Sequence, residues 1–250
     1  MAIFEKIRQF FSNHSFQRED TEPEIAYNLW AESYDSQPDN LMLALDEELF
    51  SILLNHINIK NKIIADVGCG TGRHWKKILE KEPGKLIGFD VSAGMLKILQ
   101  QKFPGAETHL LINNKLKQLN NTSCDCIIST LTIAHIEHPE KAITEWNRVL
   151  KPAGQMIITD YHPLALAKGG KRTFSHDDHT ITVKNYVHHI ENLKAIATQL
   201  GLEVMRLIEK SIDESTRPYY QKQNALPVFD KWKGVPIIYG MYLIKPDAAS

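Results

Sequence analysis

The sequence has little of three features that mark membrane, secreted or nucleic-acid-binding proteins. No apolar run reaches the roughly 18 residues that a membrane-spanning helix requires. The N-terminal segment lacks the uninterrupted apolar core of a secretion signal. The formal net charge is only −1, whereas a nucleic-acid partner usually requires a strongly basic surface. We therefore expect a cytoplasmic protein with no stable membrane insertion and no nucleic-acid partner.

Cysteine is also scarce, with three residues in 250. Cys69 lies in a glycine-rich turn, and Cys124 and Cys126 lie on one face of a predicted strand. An odd number of cysteines at such positions favours reduced, buried thiols over disulfides. We expect no redox or metal role for them.

One histidine-rich stretch has the residue types of a metal site. It reads His176-Asp-Asp-His179, with His188 and His189 nearby. The stretch lies in an inserted hairpin. We expect a solvated loop and no metal. Tyr186 and His188 alternate along an extended segment, so one face of that segment is a candidate lining for a pocket.

What the chain does contain is most informative at residues 63–74, IIADVGCGTGRH. A short apolar strand ends in Asp66 and runs into glycines at the alternate positions 68, 70 and 72. Such a turn leaves its backbone N–H groups open to a ligand. A second strand, Lys85–Asp90, again ends in an acid, which can accept both hydroxyls of a ribose. Together the two segments predict a nucleotide pocket in a doubly wound α/β domain.

These segments resemble the first two motifs of the class I S-adenosylmethionine-dependent methyltransferases. The first corresponds to Asp66–Gly72 and the second to Gly88–Leu96. Cys124–Ser129 resembles the fourth strand of that family, and Pro139–Gly154 resembles the helix and turn that lead into the fifth. The G-x-G-x-G spacing differs from the G-x-G-x-x-G of NAD-binding domains, which argues against hydride transfer. The resemblance spans roughly residues 25–210 and implies S-adenosyl-L-methionine as the cofactor.

The alternation of strands and helices predicts parallel strands with right-handed crossovers. With the resemblance, it implies an α/β, doubly wound, Rossmann-like sheet of seven strands, mostly parallel with an antiparallel last strand, plus an N-terminal helical lid. We expect strands near 62–67, 85–90, 106–111, 124–129, 154–160, 202–209 and 236–245, and helices near 73–81, 92–102, 139–149 and 187–200.

We divide the chain into three parts. Residues 1–23 predict an amphipathic helix and a linker, residues 24–60 a helical lid, and residues 61–250 the catalytic core. Within the core, inserts near 162–185 and 211–234 are expected to shape the pocket.

Aromatic residues are concentrated in the lid segment. The Tyr34-Asp35 pair resembles a pair that folds over the cofactor in the family, and Tyr27 and Trp30 are further candidates. The alternative is that these aromatic residues belong to an ordinary helix core.

The resemblance also implies cofactor contacts at the strand ends. Asp90 would accept the ribose hydroxyls, and the N–H groups of the glycine turn would receive the methionine carboxylate. Asp66 would order the turn or be purely structural, and Asn113 stands where many relatives carry an acid near the adenine edge. The full set of candidates is Tyr34, Asp66, Gly68, Cys69, Gly70, Gly72, Asp90, Val91, Met95, Asn113, Ser129 and Thr130.

Two histidines are candidate general bases for the methyl acceptor. His135 follows the fourth strand and His162 the fifth, at the edge where open α/β sheets bind ligands. For each, a capping or packing role is the alternative.

The expected function is methyl transfer to an oxygen, nitrogen or carbon atom of a small molecule. The alternatives are a tRNA or protein methyltransferase, for which the only basic patch is Lys168–Arg172, and a non-catalytic cofactor-binding protein. The oligomeric state cannot be read from the sequence.

Overall fold

The computed structural model describes residues 20–247. Its strands, in chain order, are β1 (Ile63–Val67), β2 (Lys85–Asp90), β3 (Glu107–Leu110), β4 (Cys124–Thr130), β5 (Leu150–Tyr161), β6 (Arg172–His176), β7 (His179–Val183), β8 (Glu203–Ser211) and β9 (Pro236–Ile244). Seven of them form one sheet in the order β3-β2-β1-β4-β5-β9-β8, and β6 pairs with β7 in a separate hairpin. Strand β9 runs antiparallel to both of its neighbours, while the pairs among β1 to β5 are parallel. The predicted Rossmann-like fold is confirmed.

The helices, in chain order, are α1 (Pro23–Trp30), α2 (Leu41–Leu54), α3 (Trp75–Leu79), α4 (Ala93–Lys102), α5 (Pro139–Val149), α6 (Pro163–Ala167), α7 (Ile190–Gln199), α8 (Arg217–Lys222) and α9 (Leu226–Trp232). The helix predicted over 73–81 is only five residues long, because residues 70–74 are still part of the turn after β1. Strand β5 starts at Leu150 instead of 154, because Leu150 pairs with Cys124 across a bulge. Helices α6, α8 and α9 lie in the two inserts and are not among the predicted elements.

The sheet is covered on both faces, which explains why its central strands are nearly continuous apolar runs. On one face α2 packs through Phe50 and Leu53, both fully buried. On the other face α5 contributes Trp146, which is 1% exposed. Because both faces are covered, a ligand can approach the sheet only at its edges or at the ends of its strands.

Strand order reverses beside β1, where β2 lies on one side and β4 on the other. Open α/β sheets bind ligands at the carboxyl ends of the strands beside such a reversal. Helix α1 lies over this edge. Its Asn28 Oδ1 accepts hydrogen bonds from Ser92 Oγ and from the Gly94 N–H, both at 2.8 Å, and Asp35 Oδ1 accepts one from Thr71 Oγ1 at 2.7 Å.

The predicted N-terminal amphipathic helix lies within residues 1–19, outside the described part of the chain. Within residues 20–247 no helix is both long and apolar enough to cross a membrane.

Candidate functional site

A cavity of about 510 Å³ opens at the carboxyl ends of β1, β2 and β4, below α1. This volume lies in the range typical of small-molecule sites. Most of the residues that the sequence singles out lie on its wall. They are Tyr34, Gly68, Gly70, Asp90, Val91, Met95, Asn113, Thr130 and His135, and Tyr27 and Tyr186 join them.

The glycine turn after β1 is tightly packed at its first glycine. Gly68 has a φ of +75°, and a Cβ at this position would lie 2.0 Å from Thr132 Oγ1. No other residue type fits there without moving the loop after β4.

The N–H groups of the turn are largely engaged within the protein. Gly68 and Cys69 both donate to the Phe89 carbonyl, and Gly72 donates to the Cys69 carbonyl. The Gly70 N–H donates to Asp90 Oδ2 at 2.8 Å. The structure therefore differs from our expectation that this turn presents a row of open donors to the methionine carboxylate.

Asp90 combines burial with exposure to the cavity. It is 7% exposed and lies on the cavity wall. Besides the Gly70 N–H, it accepts the Ser92 N–H through Oδ1 at 2.8 Å. Burial raises the pKa of this carboxyl group to about 6, although its backbone hydrogen bonds oppose the shift. Because each carboxylate oxygen accepts more than one hydrogen bond, Asp90 can still take hydroxyl donors from the cavity.

Four of the predicted cofactor-binding residues do not lie on the cavity wall. Asp66 is buried and accepts the Trp75 indole N–H at 2.8 Å, which supports its structural role. Burial raises its pKa to about 6. Cys69, Gly72 and Ser129 are also buried behind the wall, so any part they have in binding is through the shape of the backbone.

Tyr27 and His135 form a hydrogen-bonded pair on the cavity wall. His135 Nδ1 lies 2.8 Å from the Lys184 carbonyl oxygen, so this nitrogen carries the proton and donates it. His135 Nε2 is then the acceptor for the Tyr27 hydroxyl at 2.9 Å. Burial lowers the pKa of His135 to about 4, so the ring is neutral near pH 7. Sequence reasoning did not link Tyr27 to His135, because 108 residues separate them.

His162 is placed differently from the prediction. It is 4% exposed and does not lie on the cavity wall. It caps α6, where Nδ1 accepts the Leu164 N–H at 3.2 Å. The remaining nitrogen, Nε2, donates to Glu209 Oε1 at 2.6 Å. With both ring nitrogens engaged away from the cavity, His162 has the geometry of the packing alternative.

The insert between β5 and α7 forms the hairpin β6–β7, which packs against α1. Within residues 20–247 no three histidine, cysteine or acidic side chains gather as a metal site would require. His176 and His179 face each other across the tight turn of the hairpin. Tyr186 lies on the cavity wall, and its ring stacks on that of His188 at 6.1 Å. Of the predicted basic patch, Lys171 pairs with Asp20 at 3.2 Å, and Arg172 is buried.

A buried carboxylate below the site was missed by sequence reasoning. Asp46 is fully buried on α2 and pairs with Arg73, with His74 and with the Thr159 hydroxyl. Burial alone would raise its pKa, but these partners hold the pKa well below its usual range. The sequence does carry a signal for it, since Asp46 lies on the apolar face of α2 between Met42 and Leu49. An acid that is buried on such a face needs a charged or hydrogen-bonding partner. The cluster fixes α2 to the residues that follow the glycine turn.

Comparison with known proteins agrees with this geometry. A family model described as a methyltransferase domain matches residues 65–158. The chain is 24% identical to the malonyl-[acyl-carrier protein] O-methyltransferase of Marinomonas sp., over 78% of this chain and 70% of that protein. It is 33% identical to the tRNA U34 carboxymethyltransferase of Campylobacter fetus, over 44% of this chain and 40% of that protein. Among the first matching relatives, the share of their own length that the chain spans runs from 26% to 76%.

Solved structures show the same fold. An S-adenosylmethionine-dependent methyltransferase from Mesorhizobium loti superposes with a TM-score of 0.60 at 16% sequence identity, covering 78% of this chain and 96% of the other. At this identity the similarity establishes the architecture alone.

Proposed function

We propose that this chain is a class I S-adenosylmethionine-dependent methyltransferase, and that it methylates an oxygen, nitrogen or carbon atom of a small molecule held in the cavity described above. The observation that carries this proposal is the helical cover over part of the cavity. Helix α1 covers it, and Tyr27 and Tyr34 of the covering segment lie on its wall. Hydrogen bonds from Ser92, Gly94 and Thr71 fix this segment in place.

A macromolecular acceptor is less compatible with this surface. A tRNA would need a cationic face beside the opening, and the basic patch of the sequence does not supply one. Within the patch, Lys171 pairs with Asp20 and Arg172 is only 4% exposed. Outside the patch, Lys184 pairs with Glu22 at 2.6 Å. Glu24 adds negative charge at the mouth of the cavity.

The residues on the cavity wall fit S-adenosylmethionine. Gly68 and Gly70 bring backbone without side chains to the cavity wall, and Asp90 supplies a buried carboxylate for the ribose hydroxyls. Val91 and Met95 offer apolar surface for the adenine. The Asn113 side chain offers both a donor and an acceptor for the adenine edge. Once bound, the cofactor supplies an electrophilic methyl group, and the protein aligns the acceptor with it and excludes water.

The Tyr27–His135 pair is the candidate for proton removal. The hydroxyl of Tyr27 already donates to a neutral imidazole, so a proton taken from an acceptor at Tyr27 can pass to His135. The low pKa of His135 makes it a weak base, which suits an acceptor group whose own proton is acidic. A carboxylate acceptor would not need a base at all.

The affinity of the protein for S-adenosylhomocysteine is expected to depend on pH through Asp90. Ribose hydroxyls donate to the ionised carboxylate, so binding weakens as the pH falls below about 6. We expect about tenfold lower affinity at pH 5 than at pH 7.5, since roughly one carboxylate in ten is ionised one pH unit below its pKa. Calorimetric titration at several pH values tests this, and a flat profile would contradict the assignment.

Conformational stability is expected to change with pH in the opposite sense. Asp66 and Asp90 have a pKa of about 6 in the folded protein, above the ordinary value near 4. The folded state therefore binds protons more tightly than the unfolded state between these values. Ionisation of these two carboxyl groups therefore lowers the free energy of unfolding. This destabilisation is absent below about pH 4, grows as the pH rises and is complete above about pH 6. Urea unfolding of Asp66→Asn should show a smaller loss of stability between pH 5 and 7 than the unmodified protein shows.

The two histidines are expected to differ in their effect on turnover. His135→Asn should lower kcat at least tenfold and change S-adenosylhomocysteine affinity less than threefold, because it removes the acceptor of the Tyr27 proton. His162→Asn should leave kcat within threefold, because asparagine can still cap α6. Steady-state kinetics on the first acceptor identified check both. The reverse ranking would restore His162 as the catalytic base.

The proposed function is tested by a labelled-methyl transfer assay. The purified protein is incubated with labelled S-adenosylmethionine and panels of small phenols, amines, carboxylates and quinones. Bulk tRNA and a methyl-deficient protein extract serve as parallel acceptors. Label in a small molecule supports the proposal. Label only in tRNA or protein overturns it, as does tight cofactor binding with no transfer to any acceptor.

A further inference from the structure

A buried cation lies beside the cavity in a position that the proposed mechanism does not use. Arg172, the first residue of β6, is 4% exposed. Its guanidinium carbon lies 4.6 Å from the centre of the Trp30 ring and 5.7 Å from that of Tyr34. Aromatic faces attract a cation, but they carry no net negative charge to balance it.

The polar partners of Arg172 are neutral as well. Its Nη2 donates to the Tyr34 hydroxyl at 3.4 Å, and the side chain of Tyr161 accepts a further hydrogen bond. Among the ion pairs formed within residues 20–247 none includes Arg172, whereas Arg73 pairs with Asp46. Buried charges are normally paired, so the charge of Arg172, which has no counter-ion among residues 20–247, would favour an anion nearby.

Tyr34 connects this cation to the cavity. Its hydroxyl oxygen accepts from the guanidinium, so the hydroxyl proton points to another acceptor. Tyr34 lies on the cavity wall, where that proton can be donated to a bound group. A hydroxyl that accepts from a cation is also a stronger donor, because hydrogen bonds in a chain polarise one another.

We infer that Tyr34, backed by the buried cation of Arg172, forms a carboxylate-binding site on the wall of the cavity. The identity of the ligand rests on the proposed function: it is a carboxylate of either the cofactor or the methyl acceptor. One source is the methionine carboxylate of the cofactor, which finds most N–H groups of the glycine turn already engaged. The other is a carboxylate on the acceptor, which we place in the same cavity.

The first arm of the test measures cofactor-side binding by calorimetry. S-adenosylhomocysteine carries the carboxylate, and 5′-methylthioadenosine lacks it. If the cofactor occupies the site, Arg172→Gln weakens S-adenosylhomocysteine at least tenfold and leaves 5′-methylthioadenosine within twofold. The unchanged 5′-methylthioadenosine affinity also shows that the variant is folded.

The second arm measures acceptor-side binding to protein saturated with S-adenosylhomocysteine. Acetate and benzoate are titrated as probes, with neutral benzamide as their control, and binding is followed by NMR. If the acceptor occupies the site, the acids bind in a saturable way and Arg172→Gln weakens them at least tenfold, while benzamide is unaffected. Lys171→Gln is the matched control, because Lys171 is the adjacent cation but pairs with Asp20.

Either pattern supports the carboxylate site and identifies its source. If Arg172→Gln changes neither S-adenosylhomocysteine nor acid binding beyond twofold, or if Lys171→Gln has the same effect, the inference is overturned. If Arg172→Gln fails to fold, Arg172→Lys replaces it. Lysine keeps the positive charge but lacks the planar guanidinium group. The inference then requires that Arg172→Lys lowers the binding affinity at least threefold in one of the two arms. Failure to methylate any acceptor would remove the proposed function without touching these binding results.

Discussion

Replacement of Asp90 by asparagine is expected to weaken S-adenosylhomocysteine binding about 100-fold. A hydrogen bond to a charged group contributes about 1.5–3 kcal/mol. In the variant, the two ribose hydroxyls would face a neutral amide instead of a carboxylate. About 3 kcal/mol corresponds to roughly two powers of ten in the dissociation constant. The amide of the new side chain would also face one of the backbone N–H groups of Gly70 and Ser92. Isothermal calorimetry near pH 7.5 measures the loss.

Asp66→Asn is the matched control for this experiment. Asp66 ends the neighbouring strand, is equally buried and has its pKa raised to the same value. Its carboxylate faces the Trp75 indole, away from the cavity wall. We expect its cofactor affinity to stay within threefold of the unmodified protein. Equal losses in the two variants would mean that the turn as a whole, and not the ribose contact, had been disturbed.

Gly68→Ala is expected to destabilise the protein by about 3 kcal/mol or more. An alanine with a left-handed backbone loses about 1–2 kcal/mol, and overpacking adds typically 1–3 kcal/mol. Here the new Cβ would lie 2.0 Å from Thr132 Oγ1, a contact that requires the loop after β4 to move. Urea unfolding measures the change in the free energy of unfolding, and cofactor affinity should fall in parallel.

Gly105→Ala separates the two contributions. Gly105 also has a positive φ, of +86°, but a Cβ there would meet nothing within 4 Å. Its substitution should therefore show the backbone contribution alone, about 1–2 kcal/mol. Adding Thr132→Ala to Gly68→Ala removes the two nearest atoms and should recover part of the loss. Equal destabilisation by the two single alanine substitutions would show that Thr132 yields easily.

The sheet was predictable because its sequence signals are local. Each inner strand is an apolar run that ends in a polar residue, as at Asp66 and Asp90, and the chain must place those ends at one edge. The residues on the cavity wall follow from that rule. The exact ends of α3 and β5 did not follow, because they depend on a turn and on a bulge opposite Cys124.

The roles of individual polar side chains were less predictable. His135 and His162 both follow strand ends, and the sequence alone does not separate them. What separates them is contact with distant segments, because His135 meets Tyr27 and Lys184 while His162 meets Glu209. Arg172 reads as part of an exposed basic patch until the hairpin folds it under Trp30.

The position of β9 has a consequence for how the chain reaches this fold. In the sheet β9 lies between β5 and β8, although it follows both in the chain. Strand β8 therefore has no neighbour in the sheet until residues 236–244 arrive. During synthesis this segment must emerge from the ribosome before the sheet can be completed. Until then β5 and β8 present unpaired backbone edges, the surfaces at which incomplete chains aggregate.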